Sequence, residues 1–482
     1  MGPPPMRSVT RRGAMPRRMG SSHGTPVVTR SKRPSRPTYV RLNGQPCAEC
    51  AEQSQKTQRP LWSPVAFSYV LRHDSDQGAP HRALVRYRQS RGTKVGSEPK
   101  AFDRTWPQRG FLAAAARPMF LLAALWAAGA VALWQWAPSV IARLPDPLSW
   151  HIHEMTFGFG GAALAGYLCS AISSWTARAP IQGLPVALLA LLWVGARVAL
   201  LLPALPAWIA ALCSVAFFWS VAALLFIEAR RAGKGWQPIF IAVAMVGGAI
   251  SGTWILFMAT GAFHPAFPAI AVLGFAAMLI HIGGRMVPAF LDYAAKWEGR
   301  TVRAVPALPR RLTLVAVAAA AASLSYGAID AASFALIAAG LLMLLYIATW
   351  PLAPAGRDVL LAILTIACVW VPVGLVLWGL SLLGIGLAPA EAQHALVLGA
   401  MGGHFMGLGA RVFAHRTAEG LKARAGVGMA YLLILCAVPA RMAGLLDLSA
   451  ALWCLGWLGF ALVMAPHLTS PLPRPVFSGS RL

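Results

Sequence analysis

The chain has 482 residues, of which 57% are hydrophobic and only 12% are charged, and its formal net charge is +26. Soluble domains carry roughly a quarter charged residues, so this composition excludes an ordinary soluble enzyme and indicates a polytopic membrane protein. Residues 1–110 hold 21 of the 42 Lys and Arg residues, and most of the others lie between apolar runs. Orientation in a membrane explains that distribution better than a phosphate-binding surface does, so we expect no nucleic-acid partner.

Residues 1–105 form a basic extension that is rich in Arg and Pro and has no sustained period of a helix or strand. Such a segment cannot bury enough apolar surface to fold alone, so we predict that it is disordered. A second interpretation is a mis-assigned start, with this tract left untranslated. No methionine occurs between Met19 and Met119, so a later start would need an alternative initiation codon.

From Met119 onward, short loops separate apolar runs that are each long enough to span a bilayer as a helix. The pattern predicts an all-α polytopic membrane protein, a bundle of about twelve transmembrane helices. This membrane domain occupies residues 106–470 and precedes a short cytoplasmic tail at 471–482. The predicted spans are 119–137, 152–172, 184–202, 207–227, 239–260, 268–287, 312–329, 332–352, 359–382, 393–412, 428–446 and 449–465.

Loop charges predict the orientation of these helices. Alternate loops between Arg178 and Arg424 contain thirteen Lys and Arg residues, whereas the loops on the opposite side contain only Arg143. Loops rich in Lys and Arg stay on the cytoplasmic side of a membrane. We therefore predict that both termini are cytoplasmic and that the protein is a multi-pass protein of the bacterial inner (plasma) membrane, with the lipid bilayer as a partner.

The second predicted helix opens with His151-Ile-His-Glu154, three polar side chains at the mouth of an apolar run. Ionisable groups inside a membrane span are costly, so they are functional hypotheses by default. His151 and His153 differ by about 200° around a helix axis, so a regular helix points at most one of them at a given centre. Glu154 needs a buried partner. It could pair with an Arg, orient a ligating His or relay a proton, and the pattern leaves these alternatives open.

Two further histidines lie at the same predicted depth, because His264 occupies an outer loop and His394 begins the tenth predicted helix. Imidazole suits copper and haem iron, so we predict a metal or haem site among His151, His153, His264 and His394. The competing interpretation of a single histidine at a helix end is an interfacial polar residue, and it applies most strongly to His264.

Three other candidates lie deeper or nearer the cytoplasmic ends. His281 and Arg285 are four residues apart on the sixth predicted helix and share a face, and Arg411 lies near the inner end of the tenth. One interpretation is that the guanidinium groups reach the cytoplasmic interface, as long basic side chains do near helix ends. The other is a clamp for a haem propionate or another anion, which makes all three residues candidates for cofactor binding.

Several ordered motifs resemble the NnrS family, membrane proteins associated with haem and copper and with the response to nitric oxide. The resemblance begins at about Phe111 and leaves out the basic extension. The motifs that carry it are Ala116-Arg-Pro-Met-Phe-Leu-Leu-Ala123, His151-Ile-His-Glu-Met-Thr-Phe-Gly-Phe159, Gly284-Arg-Met-Val-Pro-Ala-Phe290 and His394-Ala-Leu-Val-Leu-Gly-Ala-Met-Gly402, with Arg411 downstream.

The resemblance implies that His151, His153, Glu154, Arg285 and His394 belong to the functional core of the family, with haem and copper as cofactors. It assigns neither cofactor to a particular residue. Nitric oxide or an iron–nitrosyl species is the small-molecule partner that it implies. The sequence demonstrates no reaction, so whether the protein is an enzyme stays open.

The sequence supports three functional interpretations. The first is an integral membrane haem and copper protein that handles nitric oxide or nitrosative stress through metal-centred binding or redox chemistry. The alternative is a twelve-helix secondary transporter without a metal cofactor, whose polar path would use deep residues such as Glu154, Arg197, His281 and Arg441. The third is a quinol- or cytochrome-linked reductase, which would need several haems and an electron donor.

Overall fold

The computed structural model describes residues 109–176, 178–233, 238–261, 266–417 and 420–471. Contacts between Cα atoms divide the chain into residues 1–92 and 93–482, and every described residue belongs to the second part. The predicted extension at 1–105 and nearly all of the tail at 471–482 lie outside the described residues. The predictions made for them stay predictions.

Apolar runs fold into helices because a backbone in a bilayer must satisfy its hydrogen bonds within the chain. The described α-helices are α1 (Ala116–Trp136), α2 (Pro138–Ile141), α3 (Pro147–His153), α4 (Gly161–Thr176), α5 (Leu184–Leu201), α6 (Ala207–Ala232), α7 (Pro238–Thr260), α8 (Phe267–Trp297), α9 (Leu308–Ser325), α10 (Ile329–Ala348), α11 (Val359–Leu382), α12 (Pro389–His394), α13 (Gly403–Val412), α14 (Val427–Met442) and α15 (Leu446–Met464).

Shorter elements join these helices. The first π-helix is Glu154–Gly160 and the second is Ala395–Gly402. Single turns of 3₁₀-helix lie at Phe111–Ala113, Ala353–Gly356 and Ala465–His467. Strands β1 (His415–Thr417) and β2 (Gly420–Lys422) form an antiparallel hairpin in which Arg416 lies opposite Leu421.

Ten helical segments in the described part of the chain are long and apolar enough to cross a membrane. Two of them are composite: Pro147–Thr176 contains α3, the first π-helix and α4, and Pro389–Val412 contains α12, the second π-helix and α13. The prediction of an all-α polytopic membrane protein is confirmed. The count of twelve stays a prediction, because α9 and α14 occupy two predicted spans but are not among the ten. The cytoplasmic position of both termini also stays a prediction.

Helix α8 is longer than its predicted span of 268–287, because it continues to Trp297. Pro288 lies inside the helix without ending it. Beyond it, Lys296 Nζ lies 2.7 Å from Asp292 Oδ2, an ion pair of i,i+4 spacing that supports a helix. Asp292 and Lys296 interrupt the apolar run after Pro288, so hydropathy alone underestimates the length of the helix.

Small residues allow neighbouring helices to approach closely. Between α10 and α11, a Cβ atom added at Gly340 would lie 2.5 Å from Val376 Cγ2, and one added at Gly379 would lie 2.7 Å from Ser333 O. Helix α1 packs against both α4 and α15, so the first and last α-helices of the described residues are neighbours. Helix α11 packs against α8, α10, α12, α13 and the second π-helix.

Arg117 ties together the chain before α1 and the chain after α15. Its Nη1 donates to Gly110 O at 2.6 Å, and its Nη2 donates to Ser470 O. Gly110 N also donates to Thr469 O at 3.2 Å. Because a buried guanidinium group is costly unless it is hydrogen-bonded, these carbonyl acceptors explain how Arg117 is tolerated in the interior.

Candidate metal centre and its buried charge network

Two short helices with candidate ligands run directly into the two π-helices. Helix α3 ends at His153, and α12 ends at His394. Each begins with a proline at its first position, and Asp146 caps α3 through its side chain. Segments of π-helix are rare in proteins, and those that occur are often found at functional sites. Both π-helices therefore begin directly after a histidine that the sequence identifies as a candidate ligand.

His151 and His394 lie next to each other at the ends of these two segments. Their ring centroids are 6.4 Å apart and their ring planes are inclined by 20°. Trp134 of α1 stacks on His151, with ring centroids 4.5 Å apart. Helices α1, α3 and α12 thus bring an indole and two imidazoles together.

One nitrogen atom of each ring in this pair has no hydrogen-bond partner among the described residues. His394 Nδ1 donates to Ala390 O at 2.6 Å, which fixes the tautomer and leaves the lone pair of Nε2 free in the neutral ring. Ligating histidines usually donate their other nitrogen in this way. His151 Nδ1 is buried and has no hydrogen-bond partner among the described residues. His151 Nδ1 and His394 Nε2 are therefore the two nitrogen atoms of this pair that would hold a metal ion, because imidazole nitrogen is a common metal ligand.

His153 lies in a different environment from His151. Its Nδ1 is 2.8 Å from Glu154 Oε1, and its Nε2 is 2.8 Å from Ser251 Oγ. Ser251 Oγ is in turn 2.7 Å from Ser214 Oγ. His153 is fully buried, and both of its nitrogens are hydrogen-bonded inside the protein. The two histidines therefore serve different sides of α3, as helix geometry predicts, and a metal at His153 would have to displace one of these partners.

Glu154 has partners on both carboxylate oxygens. Besides its contact with His153, its Oε2 accepts from Trp126 Nε1 at 2.8 Å and lies 2.8 Å from Arg197 Nε. The contact with Arg197 is a close ion pair, but its N–H group is not oriented for a hydrogen bond to the carboxylate. The Arg197 guanidinium also lies over the ring of Trp193, 5.4 Å from the centroid. Of the alternatives left open by the sequence, the structure shows pairing with an Arg together with contact to a histidine.

A glycine makes room for this carboxylate. A Cβ atom added at Gly158 would lie 2.8 Å from Glu154 Oε2 and 2.9 Å from Trp126 Nε1. The carbonyl oxygen of Gly158 also accepts from Trp193 Nε1 at 2.9 Å. The first π-helix thereby contributes the carboxylate, the space beside it and an acceptor for the indole that underlies Arg197.

The remaining predicted candidates lie away from the His151–His394 pair. His281 packs edge-on against Phe240 with ring centroids 6.4 Å apart, and its Nε2 is buried without a hydrogen-bond partner among the described residues. Arg285 is exposed on α8. Arg411 is buried on α13, with its guanidinium 3.9 Å from the ring centroid of Phe290. Roughly 20 Å or more of helix separates His394 from Arg411, so one small ion cannot contact both.

The predicted set of four metal-binding histidines is not assembled by the described residues. His264 lies outside them, and His153 is bonded within the charge network. Among the residues that the structure describes, no group of three or more His, Cys, Asp or Glu side chains could hold a metal ion. Metal binding by His153 or His264 stays a prediction.

A protein-family model described as NnrS protein matches residues 110–471. The chain belongs to the NnrS family. No curated protein and no solved structure matches it. The NnrS match includes all of the helices described above and leaves out the basic extension, in agreement with the limits of the resemblance seen in the sequence.

Several residues of the NnrS domain that build the site gave no signal in the sequence. Ser214 and Ser251 look like ordinary small residues of apolar helices, and Trp126 and Trp134 look like ordinary aromatic residues of α1. The glycine-rich pattern after each histidine was the only sign of unusual packing in the sequence. That pattern does not by itself distinguish a π-helix from an α-helix.

Proposed function

We propose that this NnrS-family chain is an integral membrane metalloprotein that handles nitric oxide, with copper and haem as its cofactors and His151 and His394 as metal ligands. One observation carries the proposal. The ring centroids of two imidazoles lie 6.4 Å apart. Among the described residues, neither His394 Nε2 nor the buried His151 Nδ1 has a hydrogen-bond partner. Membership of the NnrS family supports the link to nitric oxide and a place in the bacterial inner membrane.

The chemistry of the donor set agrees with these cofactors. Imidazole nitrogen is a ligand for both copper and haem iron. Either metal, when bound, supplies a site for nitric oxide and a centre for electron exchange. The chain itself orients the ligands, because Ala390 O holds the His394 ring and Trp134 stacks on the His151 ring.

The buried charge network around His153, Glu154 and Arg197 holds the segment that carries the proposed ligand His151. Through Glu154 and its partners it connects the start of the first π-helix to α1, α5 and α7. Because α3 passes through His153 to reach Glu154, these contacts fix the position of the segment that carries His151. The network contains three ionisable side chains, His153, Glu154 and Arg197, and the charge of the carboxylate compensates that of the guanidinium, which is how they are tolerated in a membrane span.

The test is the cofactor content of purified protein. Wild type, His151→Ala and His394→Ala are expressed with adequate haem and copper, and then compared by visible absorption spectroscopy and elemental analysis. We expect a Soret band and copper in wild type, and loss of at least one of these cofactors in each variant. His415→Ala is the matched control, because His415 is an exposed histidine of the hairpin.

Two outcomes would overturn the proposal. One is wild-type protein with neither a Soret band nor copper. The other is full cofactor content in both histidine variants, which would remove His151 and His394 from the metal centre even if the protein binds a cofactor elsewhere. Equal loss in the His415→Ala control would show that the loss reflects general instability instead of ligation.

A secondary transporter is the second candidate function, and the buried ion pair between Glu154 and Arg197 is the observation that favours it. Ionisable residues inside membrane spans often mark substrate or proton paths. On this hypothesis the cofactor-free protein would move a solute across vesicle membranes, and Glu154→Gln would stop transport while His394→Ala would not. The opposite dependence would favour the metalloprotein.

A further inference from the structure

We propose a second metal site, for a soft monovalent cation such as Cu⁺ or Ag⁺, at Cys368 and His404. Cys368 Sγ of α11 and His404 Nε2 of α13 are 3.2 Å apart, and both side chains are buried. The site is distinct from the His151–His394 pair. Ten residues separate His394 from His404, which is roughly 12–15 Å along a helical segment.

The hydrogen bonds of His404 prepare it as a ligand. Its Nδ1 donates to Ala400 O at 2.7 Å, and this fixes the neutral tautomer whose Nε2 lone pair faces the thiol. Ligating histidines are usually held by such a bond from the nitrogen that does not bind the metal. Without a metal ion, the Cys368 thiol donates its proton toward His404 Nε2.

An unpartnered hydroxyl group points to a ligand at this place. Tyr431 of α14 is only 5% exposed, and its hydroxyl has no hydrogen-bond partner among the described residues. That hydroxyl lies 3.3 Å from the position of a Cβ atom added at Gly403, the residue before His404. A buried hydroxyl without a partner is costly, so its position next to the backbone of Gly403, one residue before His404, needs an explanation. We assign it as a weak third donor.

The backbone of α8 closes the site on another side. A Cβ atom added at Gly283 would lie 2.5 Å from His404 Nε2 and 3.5 Å from Cys368 Sγ. Sulfur and nitrogen ligands lie at about 2.3 Å and about 2.0 Å from a metal ion such as zinc. An ion held by both donors would therefore require the Cys368 or His404 side chain to move, so that their separation of 3.2 Å widens.

The charge of the pair selects the ion. Binding breaks the S–H bond of Cys368 and forms a bond between sulfur and the metal, and one proton is released for each ion without any oxidation or reduction. One thiolate and one neutral imidazole balance a single positive charge. No Asp or Glu joins the pair to form a group of three among the described residues, so a divalent ion would leave an uncompensated charge in the membrane interior. Thiolate also prefers soft ions such as Cu⁺.

The test uses full-length protein in detergent with His151→Ala, His394→Ala, Cys47→Ser and Cys50→Ser already introduced. Neither the other proposed centre nor the Cys47-Ala-Glu-Cys50 thiol pair can then contribute. Cu⁺ is supplied anaerobically from a chromophoric copper chelator. We expect the protein to withdraw one equivalent of copper, Cys368→Ser to withdraw none, and His404→Gln to bind at least tenfold more weakly. Tyr431→Phe should weaken binding severalfold, and unchanged affinity would remove it as a donor.

Cys454→Ser is the matched control. Cys454 is also a buried thiol, but its Sγ contacts Ala128 O at 3.3 Å and it has no imidazole partner in the described part of the chain. Full retention of copper is expected there. Equal copper uptake by Cys368→Ser, or Zn²⁺ binding as tight as Cu⁺ binding, would overturn the proposal. X-ray absorption gives a test that does not depend on the folding of a cysteine variant, because copper bound at this site must show a sulfur neighbour.

Discussion

Glu154 Oε2 and Arg197 Nε lie 2.8 Å apart, and both side chains are buried in the membrane-spanning part of the protein. The pair joins the first π-helix to α5, and Trp126 donates to the same carboxylate oxygen. In such surroundings the loss of one partner leaves the other charge uncompensated, which costs much more than the net stability of the intact pair.

Replacing Arg197 with Leu should therefore lower the free energy of unfolding by about 3–5 kcal/mol. Combining it with Glu154→Gln should recover part of that loss, because the double variant leaves no bare charge. Unfolding in detergent with increasing denaturant measures both variants, and a double-mutant cycle gives their coupling. If the two single losses simply add, the pair does not carry the stability assigned to it.

Arg231→Leu is the control for this prediction. Its Nη1 lies 3.0 Å from Glu228 Oε1, but the Arg231 side chain is 62% exposed. Exposed ion pairs contribute about 0–1 kcal/mol, so the control should unfold almost like wild type. A loss as large as that of Arg197→Leu would show that removal of any Arg destabilises the detergent-solubilised protein.

A second prediction concerns the space beside the carboxylate. Gly158→Ala would place a Cβ atom 2.8 Å from Glu154 Oε2 and 2.9 Å from Trp126 Nε1, which pushes these partners apart. Overpacking of this kind costs about 1–3 kcal/mol. Gly129→Ala on α1 meets no atom within 4 Å, so it should be neutral or slightly stabilising in the same unfolding measurement. Equal stability of the two variants would contradict the close packing at Gly158.

The sequence predicts the helices of this fold well because each long helix corresponds to an apolar run between polar loops. The same signal underestimates α8, which continues beyond its predicted end at residue 287 to Trp297, through a stretch that Asp292 and Lys296 interrupt. Hydropathy reports the part of a helix inside the hydrocarbon, whereas helix ends depend on local pairing and caps.

The candidate site is only partly predictable from the sequence. The separation of His151 from His153 follows from helix periodicity, and the need of Glu154 for a partner follows from burial. The identity of that partner does not follow, because Arg197 lies on another helix and the register between helices is set by tertiary packing. Ser251 is harder still, since a serine in a helix usually bonds to its own backbone and gives no sign of a contact with another helix.

A third prediction tests the hydrogen bond that holds His153. Ser251→Ala removes the partner of His153 Nε2, which lies 2.8 Å from Ser251 Oγ, and also the 2.7 Å contact with Ser214. A buried polar group left without a partner costs about 1–3 kcal/mol, so the variant should unfold at lower denaturant concentration. Ser174→Ala is the control, because the Ser174 hydroxyl is buried without a partner among the described residues, and its removal should cost little. Unfolding of Ser251→Ala at the wild-type midpoint would contradict the assigned bond.

The last prediction concerns the indole beside the proposed metal centre. Trp134 stacks on His151 with ring centroids 4.5 Å apart, and this contact restricts the orientation of the imidazole. Partners that orient a ligand typically account for a 10–100-fold effect on metal affinity, so Trp134→Leu should weaken metal retention by about that factor without removing a ligand atom. Copper and haem content after graded exposure to a chelator measures the change. Trp136→Leu is the control, since the Trp136 indole donates to Asp447 at 3.0 Å and is exposed. Unchanged retention in Trp134→Leu would mean that His151 needs no help from the indole, and equal weakening in both variants would point to a general effect of losing an aromatic residue from α1.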